Sequence, residues 1–248
     1  MRTLLGIFRL SIAFPAIALS SLLILLAALF PVRIQNIRLA PWLCTLAARL
    51  AMLIFNIRFT CPEPQKFSAH QGFVFANHLT FFDILMMLQV LPMRFLSRME
   101  NRSWPFIGWV AIAIGTVFVD RSNQESRSAA RGALVKAEKY PPIVIYPEGR
   151  IGPARGLQPF RFGAFEIAVE CGAPFLPCAI VYDVPEVIAW GDESFLSAFW
   201  RLACHPGPIR AQLIPLNPVQ PKAQDDPKQL AAEAHRAVAA AMGVQAQM

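Results

Sequence analysis

Hydrophobic positions along this chain fall into three regimes. From Leu10 to Val32 no charged residue occurs. As a helix that run reaches about 34 Å, enough for a hydrocarbon core of roughly 30 Å. Arg2 and Arg9 precede it and Arg33 and Arg38 follow, so the flanking charge leaves its orientation open. It is too long for a signal-peptide core and has no small-x-small cleavage site before a polar start. Pro15 falls early in it, where proline kinks or delays a helix. A second apolar segment, Leu39 to Ile57, is broken by Arg49. A charge there argues against a lipid-exposed span. It predicts an interfacial or half-buried helix with Arg49 reaching toward phosphates; an ordinary core helix is the alternative.

After Arg58 short apolar runs alternate with helical stretches. The runs are Phe73–Ala76, Arg94–Ser97, Val117–Val119, Ile143–Tyr146, Phe175–Val181 and Ile209–Ile214. Helices are predicted at Phe81–Leu91, Asn123–Lys139, Gly163–Glu170 and Lys228–Ala240, with Pro141-Pro142 and Gly172 as stop signals. Such alternation predicts an α/β fold with a mostly parallel sheet flanked by helices. The chain then divides into membrane-associated helices over 1–57 and an α/β domain over 58–248. Trp104–Ile114 is strongly apolar and reads as core, with a groove for an acyl chain as the alternative. Val181–Pro208, with Trp190, Phe195, Phe199 and Trp200, is an irregular aromatic segment whose contact with lipid stays open.

One stretch breaks the apolar pattern. Between the strand Phe73–Ala76 and the following helix stand Asn77, His78, Thr80 and Asp83. Thr80 and Asp83 have the spacing of a capping box, and the helix start brings the Asp83 carboxylate back toward His78. A neutral imidazole held in one tautomer by a carboxylate takes a proton from a hydroxyl. The bland reading is a helix cap beside a loop histidine. Backbone N–H groups near Thr80 are candidates to hold an oxyanion. His78, Arg121 and Glu148 each follow a predicted strand, which places them in one cleft.

Composition narrows the partners. Hydrophobic residues make up 55% and charged residues 16%, with a formal net charge of +7. That balance suits an anionic lipid surface or phosphate-bearing substrates. No helix-turn-helix, zinc or RNA-binding signature points to nucleic acid. The five cysteines form no C-x-x-C pair, and His70, His205 and His235 have no ligand spacing, so no metal is expected. G-x-S-x-G, G-x-G-x-x-G and P-loop motifs are absent.

His78-x-x-x-x-Asp83 preceded by Asn77 resembles the NHxxxxD block of the glycerolipid acyltransferases, the lysophosphatidic acid acyltransferase family. Gly115-Thr116-Val117-Phe118-Val119-Asp120-Arg121, Tyr146-Pro147-Glu148-Gly149 and Pro174-Phe175-Leu176-Pro177 follow in the family's order. The third block usually reads F-P-E-G-T-R; here Tyr146 replaces Phe, and Arg150 stands one position early, so Arg155 is a rival for its task. The resemblance implies a glycerol-3-phosphate acyltransferase-like fold with catalytic His78 and Asp83. It implies substrate binding by Arg121, Glu148, Gly149 and Arg150, with Arg121 reading glycerol phosphate and Glu148 ordering the loop or an acceptor hydroxyl. It implies acyl transfer from acyl-carrier protein or coenzyme A thioester to a lysolipid hydroxyl, without a cofactor. The first expectation for the acceptor is 1-acylglycerol 3-phosphate, with lyso-ornithine lipid or lysophosphatidylethanolamine as alternatives. A lipid-binding protein that keeps the fold without catalysis is the non-enzyme alternative. The expected location is a bacterial inner membrane, with the site on the cytoplasmic side.

Overall fold

The computed structural model describes residues 1–191 and 193–244; Asp192 and the last four residues of the expected 58–248 unit lie outside them. Helix α1 (Arg2–Ala28) leads through a two-residue hairpin, β1 (Arg33–Ile34) and β2 (Ile37–Arg38), into α2 (Leu39–Ile54). Gln35 and Asn36 both have positive φ (50° and 63°), as a tight two-residue turn requires. Strand β3 (Ile57–Thr60) and a short helix α3 (Gln65–Ser68) precede β4 (Phe73–Ala76) and α4 (Phe82–Met87). Then come β5 (Arg94–Arg98), a 3₁₀ turn (Met99–Ser103), α5 (Ile107–Ala113), β6 (Val117–Val119), α6 (Gln124–Lys136) and β7 (Ile143–Ile145). The chain closes with α7 (Gly163–Glu170), β8 (Phe175–Tyr182), α8 (Pro185–Ile188), α9 (Phe195–Ala203), β9 (Ile209–Pro215) and α10 (Pro227–Met242).

The main sheet has seven strands in the order β3-β9-β8-β4-β7-β5-β6. All its pairings are parallel except β8 with β9. The mostly parallel α/β expectation therefore holds, with β3 and β9 as a reversed pair at one edge. β3 went unpredicted because its four residues alternate in burial and follow an apolar helix without a break. It also places Ile57 in the sheet rather than in the helical segment.

Central β4 is buried on both faces, which is why it reads as an unbroken apolar run. Val74 and Ala76 pack with α2 and α4; Phe73 and Phe75 pack with α6, α7 and α10. The helix ends follow local chemistry. Asn123 Oδ1 accepts the Ser126 N–H at the start of α6, and Asp226 accepts from Lys228 at the start of α10. Helix α4 ends well before the predicted Leu91. The last residues wind into turns, because Pro92 disfavours helical geometry in the residue before it.

Helix α1 lies along the domain. Gly6, Arg9 and Ala13, then Ser21, Ile24 and Ala27, recur at three- to four-residue intervals within each group and are buried. These mostly small side chains let α1 pack closely against α2, α5 and α9. Arg9 is only 6% exposed and donates to the carbonyls of Ala203 (3.1 Å) and His205 (2.6 Å), at the C-terminal end of α9. The outer face of α1 is apolar, with Leu4, Phe8, Leu19, Leu22 and Leu26 exposed. By length and composition α1 is sufficient to cross a membrane. Helix α2 buries one face and exposes Leu46, Leu50 and Leu53, so it is half-buried. Its Arg49 donates to the Gln89 carbonyl at 3.2 Å. Helix α5 corrects the core reading of Trp104–Ile114: Phe106, Ile107, Trp109 and Ile112 are each close to half exposed.

Candidate active site

The polar residues of the site gather at the C-terminal ends of the parallel strands, where open α/β sheets bind ligands. His78 follows β4, Arg121 follows β6, Glu148 follows β7 and Tyr182 ends β8. His78 Nδ1 lies 2.8 Å from Asp83 Oδ2. Because a carboxylate only accepts, Nδ1 carries the proton and Nε2 keeps a lone pair. The His78 ring stacks on Tyr146 with centroids 4.0 Å apart and 11° between planes. The imidazole is thus held by a hydrogen bond along one edge and by a ring across one face.

Asp83 is fully buried, and four donors converge on it. Oδ2 accepts the Leu79 N–H (2.6 Å), the Thr80 N–H (2.9 Å) and His78; Oδ1 accepts the Tyr182 hydroxyl (2.8 Å). This corrects two expectations. The Thr80 hydroxyl is no cap: it is buried without a partner, and the carboxylate alone serves the helix start. The N–H groups of Leu79 and Thr80 serve Asp83, so neither is available to an oxyanion. Asn77 acts structurally. Its Nδ2 donates to the Ile180 carbonyl (2.9 Å) and its Oδ1 accepts the Ile180 N–H (2.7 Å), extending the β4–β8 pairing through a side chain.

Glu148 is 4% exposed and does not line the cavity. Its Oε1 accepts the His78 backbone N–H at 2.6 Å and its Oε2 accepts the Gln158 N–H at 3.1 Å. Burial raises its carboxyl to about 7, against the opposing pull of these N–H groups. Glu148 therefore ties the base-bearing turn to the loop after β7. Two glycines permit this. Gly149 has φ +76°, and a Cβ there would stand 3.0 Å from Arg161 Nε. At Gly152 a Cβ would stand 2.8 Å from Glu148 Oε2.

His78 opens onto a cavity of about 2130 Å³. Its lining is mostly apolar and includes Ile17 and Ile24 of α1, Ala48 and Ile54 of α2, and Val110 and Ile114 in and after α5. Arg98, Arg121, Arg150 and Arg161 line it as well, together with Glu100. Burial, reinforced by the nearby charges of Arg98 and Arg161, holds the Arg121 guanidinium below its usual range. Arg150 Nε donates to Gln158 Oε1 at 2.6 Å. Arg155 points elsewhere, paired with Glu186 at 2.6 Å on the surface, so its rivalry with Arg150 ends. The sequence reading missed Tyr182 and did not assign Arg98 and Arg161 to one cavity. The β8–β4 pairing and the crossovers that bring them together have no local signature.

A base–carboxylate pair lining a cavity with both apolar and cationic walls suits group transfer to or from an amphiphile. The comparisons give that class its family. The family description Acyltransferase matches residues 58–181. The lyso-ornithine lipid O-acyltransferase of Pseudomonas aeruginosa is 32% identical over 211 residues, 83% of this chain and 78% of that protein. The 1-acyl-sn-glycerol-3-phosphate acyltransferase of Neisseria gonorrhoeae is 32% identical over 134 residues, covering 54% of this chain and 52% of that one. The crystal structure of the 1-acyl-sn-glycerophosphate acyltransferase PlsC of Thermotoga maritima superposes with a TM-score of 0.75 at 21% identity, covering 98% and 97% of the two chains, which shows a shared fold. The chain belongs to the acyltransferase family and is an O-acyltransferase.

Proposed function

We propose that this enzyme moves a fatty acyl group from a thioester, of acyl-carrier protein or coenzyme A, to the free hydroxyl of a lysolipid. The observation that carries the reading is the 2.8 Å His78–Asp83 contact, with His78 lining a large cavity whose walls include both apolar and cationic side chains. His78 Nε2 takes the hydroxyl proton as the acceptor oxygen attacks the thioester carbonyl carbon. The tetrahedral intermediate collapses, the C–S bond breaks, and the imidazolium returns the proton to the departing thiolate. No acyl-enzyme forms, and neither a metal nor a prosthetic group takes part. Asp83 keeps the tautomer and steadies the imidazolium.

The acceptor head group is an anion held by Arg121, with Arg150 and Arg161 beside it. Gly149 gives the loop its close approach, and Glu148 fixes that loop to the base. Acyl transfer to 1-acylglycerol 3-phosphate, giving phosphatidic acid in phospholipid synthesis, is the first reading. Lyso-ornithine lipid is the second, favoured by the Pseudomonas aeruginosa relative, whose similarity runs over most of this chain. The exposed apolar faces of α1, α2 and α5 sit at a membrane surface, and the proposed setting is the cytoplasmic face of a bacterial inner membrane. The 1–57 segment provides most of this attachment, with α5 adding to it. The test is thioester turnover with a panel of lysolipids. Phosphate-headed acceptors should turn over fastest; a clear preference for lyso-ornithine lipid exchanges the two readings, and no turnover with any member overturns both.

A further inference from the structure

We infer that Tyr182 is a positioning residue of the catalytic pair, and that its hydroxyl on Asp83 sets how strongly His78 holds a proton. The inference rests on the base role proposed for His78. Three observations carry it. The Tyr182 hydroxyl donates to Asp83 Oδ1 at 2.8 Å, the oxygen that His78 does not use. The contact is buried: Asp83 is 0% exposed and Tyr182 5%. Its register is built, because Asn77 clamps Ile180 on both backbone atoms and Tyr182 lies two residues on, at the end of β8. The stretch that carries the base is therefore tied to β8 twice, once through backbone and once through charge.

The chemistry follows from how a carboxylate shares its charge. A hydrogen bond given to Oδ1 withdraws negative charge from Oδ2, and a less basic Oδ2 stabilises the imidazolium less. Tyr182 stays a donor, because burial and the adjacent Asp83 push its hydroxyl well above the usual tyrosine range. The other titratable groups around the pair are Glu148 on the β7 loop, Tyr146 against the imidazole, Cys178 on β8, and Arg150 toward the cavity. None of them bonds Asp83. Among the described residues, Tyr182 is the one side chain besides His78 that does.

The test is the pH profile of kcat/KM for the full-length enzyme in detergent micelles. Tyr182→Phe should lower kcat about tenfold, the scale of one hydrogen bond to a charged group. It should leave the lysolipid KM within about twofold and move the acid limb upward by roughly 0.5–1 pH unit. A ring-fluorinated tyrosine at position 182, a stronger donor of nearly the same shape, should move the limb downward. Leu213→Ala, which opens a buried position of β9 away from the Asn77 clamp, should lower Tm and leave the limb in place. If Tyr182→Phe does not fold, the fluorinated variant alone decides. A limb unmoved by the Tyr182 variants overturns the inference and makes Tyr182 a packing residue. Full activity in His78→Ala would instead remove the reading on which it rests.

Discussion

The two polar regions of this cavity are built in opposite ways. Around His78 the polar groups are largely committed: Asp83 accepts four hydrogen bonds, Glu148 accepts two backbone N–H groups, and the imidazole is stacked and bonded. Among the arginines that line the cavity, Arg98 pairs with Glu100 and Arg150 bonds Gln158, whereas Arg121 and Arg161 are loosely held. Among the described residues, Arg121 and Arg161 have no side-chain hydrogen bond or ion pair, although burial and mutual repulsion hold the Arg121 guanidinium below its usual range. Catalytic groups must not reorganise during the reaction, so their bonds are made in advance. Groups that read a substrate keep donors free for it. The contrast is itself functional information, since clustered like charges without partners cost stability unless a ligand is to fill the gap.

The largest break in this comparison comes from the committed side. His78→Ala should lower kcat by about 10²–10⁴-fold, the usual share of a general base, while Tm and lysolipid binding hold. Asp83→Asn should fall in the same range and also destabilise the fold. The amide must turn its N–H₂ away from the Leu79 and Thr80 N–H groups and so leaves at least one donor unpaired. Kinetics paired with thermal unfolding separate the two effects. An active but unstable Asp83→Asn enzyme would reduce Asp83 to a helix cap.

On the loosely held side, Arg121→Ala should raise KM for a phosphate-headed lysolipid by about 10–100-fold, equivalent to about 1.5–3 kcal/mol, with kcat nearly unchanged. It should change KM little for a zwitterionic acceptor. Stability should stay level or rise, because one of three neighbouring cations is removed. Equal KM losses on both acceptors would assign Arg121 to structure.

The last expected effect is on stability rather than turnover and concerns Glu148. Its carboxyl rises from 4.5 to about 7 in the folded chain, so the fold binds a proton that the unfolded chain has already lost across that interval. Stability from this group is complete below about pH 4.5 and is lost as pH rises through about 7, about 3 kcal/mol in all. Glu148→Gln should flatten that part of the profile, measured as denaturant midpoints between pH 4.5 and 8. An unchanged slope would place the titration elsewhere.

How far the sequence reaches follows the same division. The NHxxxxD stretch was legible because strand, turn, base and carboxylate lie within eleven residues, and the local backbone brings Asp83 to His78. The strands around it and their mostly parallel class were legible as alternation, since a parallel sheet buried on both faces leaves apolar runs such as Phe73–Ala76, whereas their order was not. The partners that arrive through tertiary structure were not. Tyr182 reaches Asp83 across 99 positions of sequence, and Glu148 reaches the His78 backbone across 70. Arg155 and Arg161 look alike in sequence, yet one pairs with Glu186 outside and the other faces the cavity. The apolar Trp104–Ile114 segment misled for a related reason: hydropathy is the same for a core and for a surface built to face lipid.

The central claim is that His78 deprotonates the acceptor and the acyl group passes directly to it. The most direct measurement is thiol release from a radiolabelled acyl thioester, with and without lysolipid, followed by a search for label on the protein. The account predicts thiol release only when acceptor is present, one ester formed per thiol, no labelled protein, and loss of thiol release and ester formation together in His78→Ala. A burst of thiol release without acceptor, leaving acyl label on the chain and surviving His78→Ala, would contradict it.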